Sequence, residues 1–218
     1  MIKHRTNLTN FLSTDIYGIT ADKYSLGRGN IETVRQMAEA GIKVIQYREK
    51  DKSSRKMRNE CLAIREITRD NGITFIVNDY VDLAVAVEAD GIHIGQYDLP
   101  PKTVRKFVGE KMIIGLSTHS PAQAQAAMRI SDLIDYIGVG PIFPTNTKED
   151  VCEAVGLEYL EYVANNINLP FVAIGGIKEH NIGQVRASGA RIISLVTEIV
   201  SAPDIAAKIN AIRAAMNA

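Results

Sequence analysis

The sequence predicts an α/β fold of the (β/α)8, or TIM, barrel type. Strand-like apolar runs recur eight times along the 218 residues. Most of these runs are continuous rather than alternating, the pattern of parallel strands covered on both faces. Helical segments separate them, and several helix-to-strand junctions carry a glycine: Ala40-Gly41, Asn71-Gly72, Asp90-Gly91 and Ser188-Gly189. A left-handed helix end leading into a buried strand explains that glycine. Strand–helix alternation repeated eight times matches a closed barrel. The rival is an open, doubly wound sheet. It would carry a G-x-G-x-x-G turn after its first strand, and Tyr17-Gly18-Ile19-Thr20-Ala21-Asp22 has none.

The elements follow in order. A short N-terminal extension, about residues 1–13, has no long apolar core and is not expected to be a signal peptide. Strand one is read over 16–20. Helix 31–40 places Ile31, Val34, Met37 and Ala38 on one stripe. Strand 43–48 follows, then helix 54–70 with Met57, Cys61, Ile64 and Ile67 at similar spacing. Strand 74–78, helix 81–88 and strand 91–94 come next. Helices 101–108 and 121–130 each open on a proline, which is tolerated in a first turn, and strand 112–117 lies between them. Strand 133–138 must end early, because Pro141 and Pro144 remove ladder donors. Helix 157–165, strand 171–174, helix 179–188, strand 192–196 and helix 205–215 complete the set. No linker or low-complexity stretch interrupts them, so residues 1–218 are expected to form one domain.

Composition narrows the function. Lys plus Arg equals Asp plus Glu at 25 each, so the chain has no overall electrostatic footprint for nucleic acid or a membrane surface. No segment approaches the length of a membrane span. Cys61 and Cys152 are far apart, outside any metal-ligand spacing, and suit a reducing, cytoplasmic setting. Small-molecule partners are expected. A homo-oligomer is compatible with the sequence but not specified by it.

A barrel carries its function at the carboxyl ends of its strands. Gln46, Arg48 and Lys50 alternate, so in an extended segment they share a face and offer an amide and two cations to a polyanion. The alternative is an ordinary charged strand end with Arg48 paired to Glu49. Asp79 and Asp98 follow neighbouring strands and could share one magnesium ion, which takes one or two carboxylates plus water and phosphate oxygens. Alternatively, Asp79 caps the next helix and Asp98 forms a turn before Pro100. In 138–148, Gly138 and Gly140 allow close backbone approach, and Thr145, Thr147 and Lys148 supply two hydroxyls and an ammonium for a phosphate or diphosphate. A polar turn with a solvated lysine is the plainer reading. Gly175-Gly176 fits either a second phosphate site, with the Thr197 hydroxyl beside it, or tight packing. His93 and His119 are general-base candidates. His93 equally suits a satisfied interior histidine, and His119 a helix cap.

Six segments in this order resemble the thiamine phosphate synthase family: 46–50, Asn78-Asp79, 90–96, 115–120, 140–148 and 174–177. The resemblance runs from about strand one to strand eight. It implies a (β/α)8 transferase that joins 4-amino-2-methyl-5-(diphosphooxymethyl)pyrimidine to a (carboxy)thiazole phosphate, releasing diphosphate. It implies that the Gln46-Tyr47-Arg48-Glu49-Lys50 segment, Asn78, Ser117 and Lys148 hold the pyrimidine diphosphate, with Arg48, Lys50, Ser117 and Lys148 acting in catalysis. Asp79 and Asp98 would bind Mg2+. Thr145, Asn146, Thr147, Gly176, Val196 and Thr197 would hold the thiazole phosphate. The chain departs from the family pattern at Tyr97, Arg191 and Thr197, the last keeping a hydroxyl.

The resemblance also sets the rivals. A thiazole tautomerase on the same fold would use His119 as acid and base, and a non-catalytic barrel would only bind. Neither needs a complete diphosphate and metal set.

Overall fold

Parallel pairing runs unbroken through eight strands in sequence order. The computed structural model describes residues 8–147 and 152–217. Its strands are β1 (Tyr17–Ile19), β2 (Val44–Tyr47), β3 (Thr74–Asn78), β4 (Gly91–Ile94), β5 (Ile113–Thr118), β6 (Tyr136–Val139), β7 (Phe171–Ile174) and β8 (Ile192–Ser194). The ring closes where Ile16 bridges Ile193 in parallel and the Ile193 N–H donates to the Asp15 carbonyl at 3.0 Å. This is the (β/α)8 barrel the sequence predicts.

The helices are α1 (Leu8–Ser13), α2 (Gly29–Glu39), α3 (Ser54–Asp70), α4 (Val81–Ala86), α5 (Pro101–Val108), α6 (Pro121–Met128), α7 (Gly156–Asn166), α8 (Ile182–Ala187), α9 (Val196–Val200) and α10 (Ile205–Met216). Each expected helix is present. Two strand ends shift by two or more residues from the sequence expectation. Strand six starts at Tyr136 rather than 133, because its pairing with β5 begins where Tyr136 meets Gly115. Strand eight ends at Ser194 rather than 196, because Val196 opens the extra helix α9. Val-Thr-Glu-Ile-Val reads as strand by propensity, but Ile199 and Val200 are fully buried, and burying them requires a helical turn.

Two cores lie on opposite faces of the sheet. The larger lies between the strands and the helix ring and includes Val34, Ile64, Phe75, Ile92, Leu160 and Ile209. The smaller fills the barrel interior with Tyr17, Ile19, Val44, Ile76, Ile113, Tyr136, Val172 and Ile192. Alternation along each strand assigns residues to one core or the other. Phe11 of α1 joins the interior set, its ring 4.3 Å from that of Tyr136. The Asn10 side chain donates to the Gly72 carbonyl at 2.7 Å, just ahead of β3, so α1 covers the amino-terminal end of the barrel. The segment expected to be a mere extension thus includes the barrel's plug.

Glycine makes the interior possible at Gly115. A Cβ there would lie 2.2 Å from Tyr136 Cζ and 2.5 Å from His93 Nδ1. The missing side chain is the space in which Tyr136 and His93 meet. Gly115→Ala should therefore destabilise the fold by about 1–3 kcal/mol, the usual cost of overpacking. Urea unfolding measures the loss, and an unchanged midpoint would show that the interior has slack.

Candidate active site

The carboxyl ends of the strands surround a cavity of about 860 Å³. That is large enough for two small molecules side by side. Of the residues nominated from sequence, Arg48, Lys50, Asn78, Asp79, Asp98 and Ser117 line it from strands two to five. Thr145, Asn146, Thr147, Gly176, Val196 and Thr197 line it from strands six to eight. In an eight-stranded ring those two groups form facing walls. Lys148 lies outside the described residues.

Three nominated residues are not brought to the mouth. Gln46 points inward but sits one layer down, 3% exposed, with its amide donating to the Tyr17 hydroxyl at 2.9 Å. Tyr47 and Glu49 point outward, as strand alternation demands of the neighbours of Gln46 and Arg48. Neither lines the cavity. The Glu49 carboxylate accepts from the Asp22 N–H at 2.9 Å and from Asn30 at 2.8 Å. The Tyr47 hydroxyl donates to Glu60 at 2.9 Å.

These outward residues build a support for the loop that carries Arg48 and Lys50. Lys52 stands at its centre, 2.7 Å from Asp22 Oδ2 and 2.8 Å from Glu60 Oε1. Lys52 is only 9% exposed. Burial alone would lower its pKa, but Asp22 and Glu60 outweigh burial and raise it. Lys52 in turn holds the Asp22 carboxyl below its ordinary value. On the other side of the loop, the Arg48 N–H donates to the buried Thr20 hydroxyl at 2.9 Å.

The acidic pair sits on one rim. Asp79 has φ +63°, a left-handed conformation that Asp tolerates better than most residues, and its N–H donates to the His93 carbonyl at 2.9 Å. It does not cap α4, whose N-cap is Tyr80. Asp98 does form a turn, with Oδ2 accepting from the Gly95 N–H at 2.7 Å, and this anchors the carboxylate at the mouth. Among the described residues no cluster of three His, Cys, Asp or Glu side chains is suited to a metal ion. Two carboxylates beside a cationic wall suit magnesium, which completes its shell with water and phosphate oxygens, and not a zinc cage.

On the opposite wall the Thr145 and Thr147 hydroxyls lie 3.1 Å apart, so the two donors converge. Gly175 and Gly176 have φ +98° and +64°. A Cβ on Gly175 would lie 2.4 Å from Pro141, and one on Gly176 2.6 Å from the Phe143 carbonyl. Tight packing is therefore one reason for the pair, and Gly176 also reaches the cavity.

Both His93 ring nitrogens are engaged, with Tyr136 Oη and Ser117 Oγ each at 2.9 Å, which is the satisfied interior arrangement. His119 lines the cavity and donates through Nδ1 to the Gly140 carbonyl at 2.6 Å. Ser120, not His119, caps α6. Sequence reasoning missed Lys178 and Ser194. Lys178 lines the mouth and pairs with Glu198 at 3.0 Å. Burial would raise the Glu198 carboxyl, but the Lys178 ammonium outweighs it and lowers the pKa. The signal for Lys178 was its place directly after Gly175-Gly176-Ile177. Ser194 Oγ is buried at the cavity wall without a hydrogen-bond partner among the described residues. Nothing in its apolar strand sequence marks it.

Comparisons with known proteins agree with this fold. A family model described as thiamine monophosphate synthase matches residues 16–199. A thiamine-phosphate synthase from Pelotomaculum thermopropionicum is 67% identical over 210 residues, covering 96% of this chain and 95% of that protein. Another, from Lawsonia intracellularis, is 53% identical over 205 residues, 94% of each. The solved structure of thiamine phosphate pyrophosphorylase from Pyrococcus furiosus has a TM-score of 0.84 at 31% identity, covering 94% of this chain and 96% of that one.

The Lys52 network generates a stability prediction. Lys52→Met would leave Asp22, Glu49 and Glu60 crowded around an apolar side chain, at a cost of about 3 kcal/mol near neutral pH. Because the Asp22 pKa is lowered on folding, its contribution is present above the ordinary Asp value of 3.8 and is lost as pH falls through the folded value. The gap between parent and variant, measured by urea unfolding, should therefore narrow as pH drops below about 4. A gap independent of pH would mean that lost packing, not charge, carries the effect.

Proposed function

As the chain belongs to the thiamine monophosphate synthase family and is a transferase of that family, we propose that its mouth joins a pyrimidine diphosphate to a thiazole phosphate with release of diphosphate. The observation that carries the details is the pair of facing walls. One wall bears Arg48, Lys50 and the two aspartates, and the other bears Thr145, Thr147, Gly176 and Thr197, around one cavity.

The reaction breaks the bond between the pyrimidine CH2 carbon and the diphosphate oxygen, and the electron pair leaves with that oxygen. The electron-rich aminopyrimidine stabilises the resulting cation. The thiazole nitrogen then supplies its lone pair to the CH2 carbon and forms the new C–N bond. No side-chain nucleophile is needed. The protein must neutralise the leaving group and hold the thiazole nitrogen in line.

Arg48 and Lys50 do the first, and Arg48 can bind two oxygens at once through its planar fork. Ser117 adds a hydroxyl on the same wall. The family resemblance assigns Lys148 to the same diphosphate. Asp79 and Asp98 would hold magnesium, whose charge adds to that of the cations at the diphosphate. Thr145 and Thr147 converge on the thiazole phosphate, with Gly176, Val196 and Thr197 beside them. Tyr47 and Glu49 act at one remove, by fixing the loop that carries Arg48 and Lys50. Among the described residues no helix is long and apolar enough to cross a membrane. Free Cys61 and Cys152 are consistent with a cytoplasmic enzyme.

The direct test mixes both precursors with magnesium and measures diphosphate release. Activity is expected only with all three present. Release that persists in a chelator would sink the metal assignment. Asp79→Asn is the cleaner variant than Asp79→Ala, since Asn also tolerates the positive φ, and it should nearly abolish turnover while leaving the unfolding midpoint unchanged. Thr147→Val should weaken thiazole phosphate binding by roughly 1.5–3 kcal/mol, the scale of a hydrogen bond to a charged group, and leave the pyrimidine KM alone. If only the pyrimidine KM rises, the two walls are assigned the wrong way round.

A further inference from the structure

Beneath the mouth a line of hydrogen bonds crosses the barrel interior. The Gln46 amide donates to Tyr17 Oη at 2.9 Å. Tyr17 Oη meets Tyr136 Oη at 2.9 Å. Tyr136 Oη meets His93 Nδ1 at 2.9 Å, and His93 Nε2 meets Ser117 Oγ at 2.9 Å. These residues come from β2, β1, β6, β4 and β5, so the line joins five strands. Gln46, Tyr17 and Tyr136 are 3%, 2% and 1% exposed, which shields the lower links from competing water.

We propose that this line is a directed chain, polarised by Gln46, that makes the Ser117 hydroxyl an outward hydrogen-bond donor to the leaving diphosphate, with Tyr17 and Tyr136 as positioning residues. The inference deepens the synthase reading and rests on it for the identity of the ligand.

The direction follows from what each group can give. The Gln46 amide nitrogen can only donate, so Tyr17 accepts there and sends its own proton to Tyr136. Tyr136, having accepted, sends its proton to His93 Nδ1. Burial raises the pKa of both phenols above the ordinary value, so each keeps the single proton this requires. His93 then carries its proton on Nε2 and gives it to Ser117 Oγ. Ser117 has accepted from below and is left with its own O–H to offer to the mouth. Diphosphate oxygens only accept. Run in reverse, the chain would spend the Ser117 proton on His93 and turn bare lone pairs toward an anion. Gln46 thus decides, from the far end of the line, whether Ser117 attracts or repels the leaving group. Gly115 keeps the middle of the line open, since a Cβ there would lie 2.5 Å from His93 Nδ1.

The test reads the His93 tautomer by 15N NMR in the ligand-free protein, with the ring assigned through its contact with Tyr136. The expected result is a neutral imidazole protonated on Nε2 and bare on Nδ1. Tyr17→Phe removes one hydroxyl and keeps the ring against Phe11. It should allow the Nδ1-protonated form to appear as a second population. It should also lower kcat by roughly tenfold, about the worth of one hydrogen bond to a charged group, with the thiazole phosphate KM unchanged. A purely structural Tyr17 would not move the tautomer. An Nδ1-protonated His93 in the parent protein overturns the proposal, as does a Tyr17→Phe protein that keeps both the single tautomer and full kcat. The tautomer is read without substrate, so this inference can fail alone. Failure of the synthase reading shows instead as no diphosphate release from the parent enzyme.

Discussion

A closed ring of eight parallel strands gives each residue two directions, into a narrow interior or out to the helix layer. Most of what distinguishes this protein follows from that constraint. Consecutive residues of one short segment are sent to different tasks. Gln46 turns into the interior, Tyr47 out to Glu60, Arg48 into the mouth, Glu49 out to Asn30, and Lys50 back to the mouth. A shift of one residue in β2 would exchange every one of those roles.

The interior is also stratified along the barrel axis. Phe11 and the apolar residues around it close the amino-terminal end. Polar side chains begin at the layer of Gln46 and His93 and become charged at the rim. This order suits the proposed reaction, in which a cation intermediate is kept away from water while a highly charged leaving group is neutralised. The apolar floor excludes solvent, the neutral hydrogen-bonded layer carries polarity without buried charge, and the charges stand where the anion arrives.

Charge is supported from outside the barrel as well as used inside it. Lys52 binds Asp22 and Glu60 behind the loop that presents Arg48 and Lys50. Outward carboxylates anchored to a buried ammonium fix the loop without competing for the cations at the mouth. This arrangement accounts for Glu49 standing between the two cations of the mouth, Arg48 and Lys50.

The eight strands, their parallel order and most of the mouth were legible in the sequence. Continuous apolar runs, helix-terminal glycines and polar strand ends are local signals, and local physics is enough to read them. Arg48, Asp79, Asp98 and the Thr145–Thr147 turn announced themselves because their residue types have few other uses at the end of a buried strand. What the sequence could not decide was depth and direction across the ring. Gln46, nominated for the mouth, lies one layer lower, against Tyr17. Val196 looked like strand and starts a helix. Ser194 looked like core and reaches the cavity. Tyr17, Tyr136 and His93 are far apart in the chain and carry no motif that links them. Their hydrogen bonds exist only because closure brings β1, β4 and β6 to a common axis, and because Gly115 leaves that axis open. Contacts across a barrel depend on the register of all eight strands at once, so only the tertiary structure could determine them.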